Sequence, residues 1–229
     1  MASVDTTVPM PAVQHLAWLA PGKPSDKVLP EGVARAILAR PVIVEEKPDG
    51  ALIAIDFADG TARVHYRATL LGPGAHPQFQ PLWGWLAERE DALQRALGKE
   101  RVLYGEWCYA THGLRHEALP DWFLASDVYD RPSSRFVSVD RRNALLKATN
   151  LSLLPEVART KVDVKTLTGW LGSHASALGS PHPAGFVVRL EQGDHLVERA
   201  LLVRAEVATA PEPSTRKTLE RNTLAVRSG

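Results

Sequence analysis

Residues Val42–Phe57 read VIVEEKPDGALIAIDF, two runs rich in β-branched residues on either side of Pro48-Asp49-Gly50. The pattern predicts a strand, a tight turn and a returning strand, with Lys47 where the first strand ends. Taken alone, a Lys-x-Asp-Gly string describes an ordinary hairpin with a solvated lysine. The sharper reading is a lysine nucleophile on a rigid β platform. That reading requires the rest of the chain to supply, in order, the groups such a lysine needs.

Working outward from the hairpin, Asp59-Gly60 marks a second tight turn and Ala62–Ala68 a third strand, so the opening reads as an antiparallel meander. Upstream, Gly32–Ala39 suits one short helix, and residues 1–14 read as a loose arm. Downstream of a Gly-Pro-Gly loop at 72–74, Leu82, Leu86, Leu93 and Leu97 recur at helical spacing and predict one long amphipathic helix ended by Gly98. Arg101–Tyr109 and Trp122–Tyr129 have the alternation and aromatic content of strands. Ser138 and Asp163 are placed to cap helices over Arg141–Ala148 and Leu167–Leu171. A second strand pair, Gly185–Leu190 and His195–Arg204, meets around Gln192-Gly193-Asp194. In the tail 209–229, Pro211 and Pro213 precede STRKTLERNTL, read as a short helix capped by Ser214. Antiparallel strand groups with helices between them predict an α+β fold in a single domain, 1–229.

Composition bounds the function. The chain has 229 residues, 45% of them hydrophobic, which is ample for one core. Its 27 Lys and Arg nearly balance 26 Asp and Glu, so any nucleic-acid contact must be local. The single cysteine, Cys108, excludes an internal disulfide and a cysteine-rich zinc site, and fits a reducing cytoplasm. It lies in an apolar strand pattern and reads as a buried thiol. The N-terminus lacks the features of a signal peptide, and no run has the length of a membrane span, so a soluble, cytoplasmic protein is expected. The chain contains no Gly-x-Ser-x-Gly elbow, Walker A loop or Gly-x-Gly-x-x-Gly fingerprint. His174, His182 and His195 are too irregularly spaced for a metal site and read as surface or loop residues.

The order of the remaining signals is more specific. Lys47-Pro48-Asp49-Gly50 is followed by Gly105-Glu106-Trp107 with Tyr109 and His112, then by LPDWFLASDVYDR, Gly185-Phe186-Val187-Val188-Arg189 and Arg199-Ala200-Leu201-Leu202-Val203-Arg204. This succession resembles the covalent nucleotidyltransferase superfamily, and within it the ATP-dependent RNA ligases, over about residue 15 to Leu224. The resemblance implies an α+β nucleotidyltransferase domain, ATP-grasp-like, of the kind that carries ligase adenylation. It implies that Lys47 attacks the α-phosphate of ATP with Mg²⁺ or Mn²⁺, that AMP passes to an RNA 5′-phosphate, and that a 3′-hydroxyl displaces it, an RNA repair reaction. It also implies that Asp49 and Gly50 shape the turn and that Glu106 accepts from the ribose. Arg67 would approach the phosphates or RNA and His112 the RNA end. Asp127, Arg189, Arg199 and Arg204 complete the implied nucleotide site. RNA ends, ATP or AMP, and an end-healing kinase or phosphatase are the implied partners. Without room for a sizeable OB domain, RNA would be held by this domain's surface or by another protein.

Three positions depart from the family pattern. Ser126 stands where an aromatic stacks on adenine, removing a contact of about 1–3 kcal/mol unless Tyr129, Trp107 or Phe186 replaces it. Ala184 stands where the family has a glutamate associated with metal binding, with Glu191 the nearest carboxylate along the strand. Leu201 replaces a phosphate-contacting lysine. Two readings follow: a ligase in which Arg189, Arg199 or Arg204 supplies the phosphate contact, or a pseudoligase retained as a nucleotide- or RNA-end-binding module.

Overall fold

A computed structural model describes residues 8, 13–22, 27–67, 69–211 and 218–226. In chain order these form β1 (Gln14–His15), α1 (Glu31–Leu38), β2 (Val42–Lys47), β3 (Ala51–Ala58), β4 (Thr61–Tyr66), β5 (Thr69–Leu70), α2 (Gln80–Ala87), α3 (Glu90–Leu97), β6 (Arg101–Trp107), β7 (Phe123–Asp130), β8 (Arg135–Phe136), α4 (Val139–Leu146), β9 (Ser152–Leu153), β10 (Glu156–Thr160), α5 (Val164–Ser173), β11 (Gly185–Gln192) and β12 (His195–Val203). One sheet has the order β1-β12-β11-β2-β10, the other β5-β4-β3-β6-β7-β8, with β9 beside β7. All pairings are antiparallel except β1 with β12 and β7 with β9. The α+β class expected from the strand clusters is the one observed.

The Val42–Phe57 stretch is not a hairpin. Its two strands belong to different sheets: Lys47 of β2 pairs with Gly185, whereas Ala51 of β3 pairs with Trp107. Pro48-Asp49-Gly50 therefore carries the chain from one sheet to the other. The groups that would close a hairpin are engaged elsewhere. Pro48 has no N–H to donate, and Asp49 gives its own N–H to His116 Nε2 at 3.0 Å. Gly50 is required by crowding, since a Cβ there would lie 2.8 Å from both Cys108 Sγ and the Trp107 carbonyl oxygen. The rest of the opening meander holds, β3 pairing β4 around Asp59-Gly60.

Each sheet covers its outer face with helices. Ala34, Ile37 and Leu38 of α1, and Leu167 and Leu171 of α5, pack on Val42, Val44, Phe186, Val188, Ala200 and Leu202. On the second sheet, Leu82, Trp85, Leu86, Leu93 and Leu97 pack on Ile53, Ile55, Phe57, Leu103 and Trp107. The expected single helix here is two, broken at Glu88-Arg89, where Arg89 has φ −120°. Arg89 lies over the Trp85 ring and bonds the Trp85 carbonyl and Asp121, fixing the corner. Ser138 and Asp163 cap α4 and α5 as expected, accepting from Arg141 N and Thr166 N, and Gly98, at φ 55°, ends α3.

The described residues of the expected N-terminal arm join the fold. Val8 is buried against Ala54, Val102 and Tyr104, and Gln14 enters β1. Ser214, the expected cap of a terminal helix, lies outside the described residues, and residues 218–226 form no helix but run as a strap bridged at Ala110–Arg221 and Leu119–Leu224. Among the described residues no helix is long and apolar enough to cross a membrane.

Candidate active site

The inner faces of the two sheets enclose a cleft of about 510 Å³. Strand alternation decides what enters it. On β2, β11 and β12, Glu45, Lys47, Val187, Arg189, Arg199 and Leu201 share one face, because Lys47 pairs Gly185, Glu45 pairs Val187, Val187 pairs Leu201 and Arg189 pairs Arg199. Leu52, Glu106 and Asp127 come from the opposing sheet.

Lys47 Nζ donates to Glu106 Oε1 at 2.9 Å and to the Pro48 carbonyl at 2.8 Å. Their side chains are only 17% and 10% exposed, so the pair is shielded from bulk water. Burial works to lower the lysine pKa, but the Glu106 and Asp49 charges outweigh it and hold Lys47 above its ordinary value. Burial pushes Glu106 up, opposed by Lys47. Glu106 Oε2 is buried with no partner. The turn that presents Lys47 is held from below: Asp49 Oδ2 accepts from Gly113 N at 2.6 Å and Leu114 N at 2.8 Å.

A buried ionic network joins the two sheets deeper in the cleft. Arg189 donates through Nε to Glu45, through Nη1 to Asp127 at 2.6 Å and through Nη2 to the Ser126 carbonyl at 3.0 Å. Arg142, fully buried on α4, donates to Glu45 at 2.7 Å and to the same carbonyl at 2.6 Å. Arg199 Nη1 lies 2.7 Å from Asp127 and its guanidinium stands 4.3 Å over the Phe136 ring. Burial alone would raise Asp127, yet Arg189 and Arg199 hold it well below the carboxylate range. Two carboxylates against three guanidiniums leave the cluster net cationic, which suits an anionic ligand.

Of the residues singled out in the sequence, Lys47, Gly50, Glu106, Asp127, Arg189 and Arg199 line the cleft, and Asp49 lies directly beneath it. The remaining three do not line it. Arg67, at φ 50°, is exposed with its guanidinium over Tyr66. His112 is buried, its Nε2 3.3 Å from Gln78 Oε1. Arg204 donates to the Leu171 carbonyl and pairs with Glu206.

At the positions that depart from the family pattern, Ser126 and Leu201 line the cleft, and no aromatic side chain does among the described residues. Trp107 packs in the core and donates to the Gln78 carbonyl. Phe186 faces α1 and α5 on the outer side of its own sheet, and Tyr129 packs on Phe136. Ser126 is the extra residue of a bulge, since Tyr104 pairs Asp127 while Gly105 pairs Ala125, and its Oγ is buried without a partner. Ala184 is buried and Glu191 accepts from Val139 N at the start of α4.

Glu45, Arg142, Lys27 and His116 were not apparent as site residues in the sequence. Only Glu45 carried a signal, the alternation that sends it to the same face as Lys47. No cluster of three or more His, Cys, Asp or Glu among the described residues could hold a metal ion. Among the described residues, the carboxylates nearest Lys47 serve the lysine, the arginines or backbone N–H groups.

A family model described as RNA ligase matches residues 40–199. Among solved structures, a Naegleria gruberi RNA ligase variant with AMP and Mn aligns with TM-score 0.63 at 13% identity, covering 90% of this chain and 59% of that one. A second variant of that enzyme with ATP and Mn gives TM-score 0.60 at 14% identity, with 88% and 57% covered. The same enzyme with PPi also gives 0.60 at 14%, with 89% and 61% covered. The chain thus spans about three-fifths of the length of the structures it matches, and at these identities the likeness is one of fold. No curated protein matches the chain.

Proposed function

Because the chain belongs to the RNA ligase family, we propose that it is an ATP-dependent nucleotidyltransferase in which Lys47 accepts AMP and passes it to an RNA 5′-phosphate for sealing to a 3′-hydroxyl. The observation that carries this reading is Lys47 Nζ on Glu106 Oε1 at the wall of a cationic cleft between two sheets. In the first step Nζ attacks the α-phosphorus, the P–N bond forms, and the α–β P–O bond breaks to release pyrophosphate. The ammonium sheds one proton before attack and a second as the phosphoramidate forms. An ordinary lysine is neutral in about one molecule in a thousand near pH 7.4, a cost of roughly 4 kcal/mol, and the Glu106 pairing adds to it.

Glu106 supplies the way out. If the ribose hydroxyls donate to its carboxylate, Lys47 loses its strongest counter-charge, its pKa falls, and Nζ is free to turn to the α-phosphate. Nucleotide binding and lysine activation are then one event. Arg189 and Arg199, with Lys27 at the rim of the cleft, provide the positive field for the phosphates. Mg²⁺ or Mn²⁺ would arrive on the phosphates of ATP.

A second reading rests on a specific observation. With Leu201 lining the cleft and Ala184 buried, two groups the family uses around the phosphates are apolar here, which favours a pseudoligase that binds nucleotide or RNA ends. Incubation with ATP and Mg²⁺ or Mn²⁺ separates the two. The ligase reading expects the mass of AMP on the peptide containing Lys47, abolished by Lys47→Ala. The binding-module reading expects no adduct with either metal, and saturable ATP or RNA binding that survives Lys47→Ala.

A further inference from the structure

The strap at residues 218–226 lies outside the family match at 40–199, yet it reaches the underside of the active site. Its one buried residue is Asn222, 4% exposed. A primary amide has two N–H donors and an oxygen with two acceptor sites, and Asn222 uses all four. Nδ2 donates to the carbonyls of Cys108 at 2.8 Å and Ala110 at 3.2 Å. Oδ1 accepts from His116 N at 2.9 Å and Thr111 Oγ1 at 3.1 Å. The strap backbone repeats the pattern, Asn222 N donating to the Tyr109 carbonyl and Thr223 N to the His116 carbonyl.

These bonds grip both ends of one loop, and that loop holds the Lys47 turn. Gly113 N and Leu114 N donate to Asp49 Oδ2, and His116 Nε2 accepts from Asp49 N. The loop has no slack there, since a Cβ at Gly113 would lie 3.1 Å from Asp49 Oδ2. Contacts thus run without a gap from Asn222 to His116 and Gly113, to Asp49, and to Lys47 two residues away.

We infer that Asn222 is a positioning residue for Lys47, acting through the loop at 111–116 and Asp49. The inference deepens the nucleotidyltransferase reading and rests on it for the chemistry, but not for the geometry. Removing the amide would leave two carbonyls and an N–H unmatched beneath the turn, which buried polar groups tolerate poorly.

The test uses the full chain with Asn222→Ala and two readouts. Amide hydrogen exchange at Asp49 is expected to rise at least about tenfold, while exchange at residues 93–97 of α3, which packs on the second sheet away from the turn, stays as in the wild type. Unchanged exchange at Asp49 would overturn the inference. In the second readout, adduct formation at saturating ATP is expected to slow about tenfold or more with ATP affinity kept within about threefold. An equal fall in both, or no fall in rate, would count against positioning. A wild-type protein that forms no adduct sinks the parent reading alone, because the exchange readout still decides this one. If Asn222→Ala does not fold, Thr111→Val, which withdraws one bond from the same oxygen, decides by the same exchange measurement, faster Asp49 exchange supporting the inference and unchanged exchange overturning it.

Discussion

Lys47 and Glu106 meet at 2.9 Å although they sit 59 residues apart on strands of different sheets. The ion pair links the two sheets across the cleft and keeps Lys47 charged. Replacing the carboxylate with an amide separates these effects. Glu106→Gln removes the charge that raises the Lys47 pKa, so the pH–rate profile for adduct formation is expected to move to lower pH. If Glu106 accepts from the ribose as proposed, ATP affinity should weaken too. Single-turnover rates measured from neutral to alkaline pH check both, and a profile at the wild-type position would mean that Glu106 does not control the lysine.

Gly50 admits no side chain. A Cβ would meet Cys108 Sγ and the Trp107 carbonyl at 2.8 Å, and the latter is backbone of a central strand. Gly50→Ala is therefore expected to destabilise the protein by about 1–3 kcal/mol and to cut adduct formation more than ATP binding, since the displaced turn carries Lys47. Thermal melting alongside an adduct time course measures the two.

Burial depresses His116 to about 4, and its Nε2 accepts the Asp49 N–H, which a protonated ring could not do. The unfolded chain binds this proton at about 6.5, so the histidine's contribution is fully present above that pH and fades as pH falls toward 4. The pKa of His15 is lowered too, and acts in the same sense. Urea midpoints should drop between about pH 7 and pH 5. His116→Gln is expected to be less stable at neutral pH, with a visibly flatter dependence.

Leu201 is partly exposed and lines the cleft beside Arg199, so a lysine there would point its charge into the proposed phosphate site. Leu201→Lys is expected to speed adduct formation about tenfold to a hundredfold, in line with the loss seen when a single charge-stabilising donor is removed from a reaction site. Ala184 is buried and does not line the cleft, so adding Ala184→Glu is expected to bring no further gain and to cost stability. Quench-flow rates of the two single variants and the double variant resolve this.

Much of the site was legible from its order along the chain. Lys47, Glu106, Asp127, Arg189 and Arg199 appear in succession, and alternation along their strands turns them to one side. The crossing at Pro48-Asp49-Gly50 was not legible, because β-branched runs around a turn tripeptide look the same whether the second strand returns to its neighbour or leaves for another sheet. The partner that decided it, Gly185, lies 138 residues on. The break between α2 and α3 is hidden likewise, since leucines spaced four, seven and four apart suit one helix or two. Arg142 reads as a surface arginine until the bulge at Ser126 turns a carbonyl toward it. Asn222 is a single amide in a polar tail, with no periodicity to mark it.

Cys108 lies directly beneath Gly50, fully buried, with burial and Glu106 pushing its thiol pKa well up. As the only cysteine in the chain, it is a built-in reporter on the floor of the turn that carries Lys47. In the closed protein the thiol is protonated and shielded, so alkylating reagents reach it only when that floor opens. The rate of alkylation under native conditions is thus a clock for local opening at one known place, readable by mass with no label added.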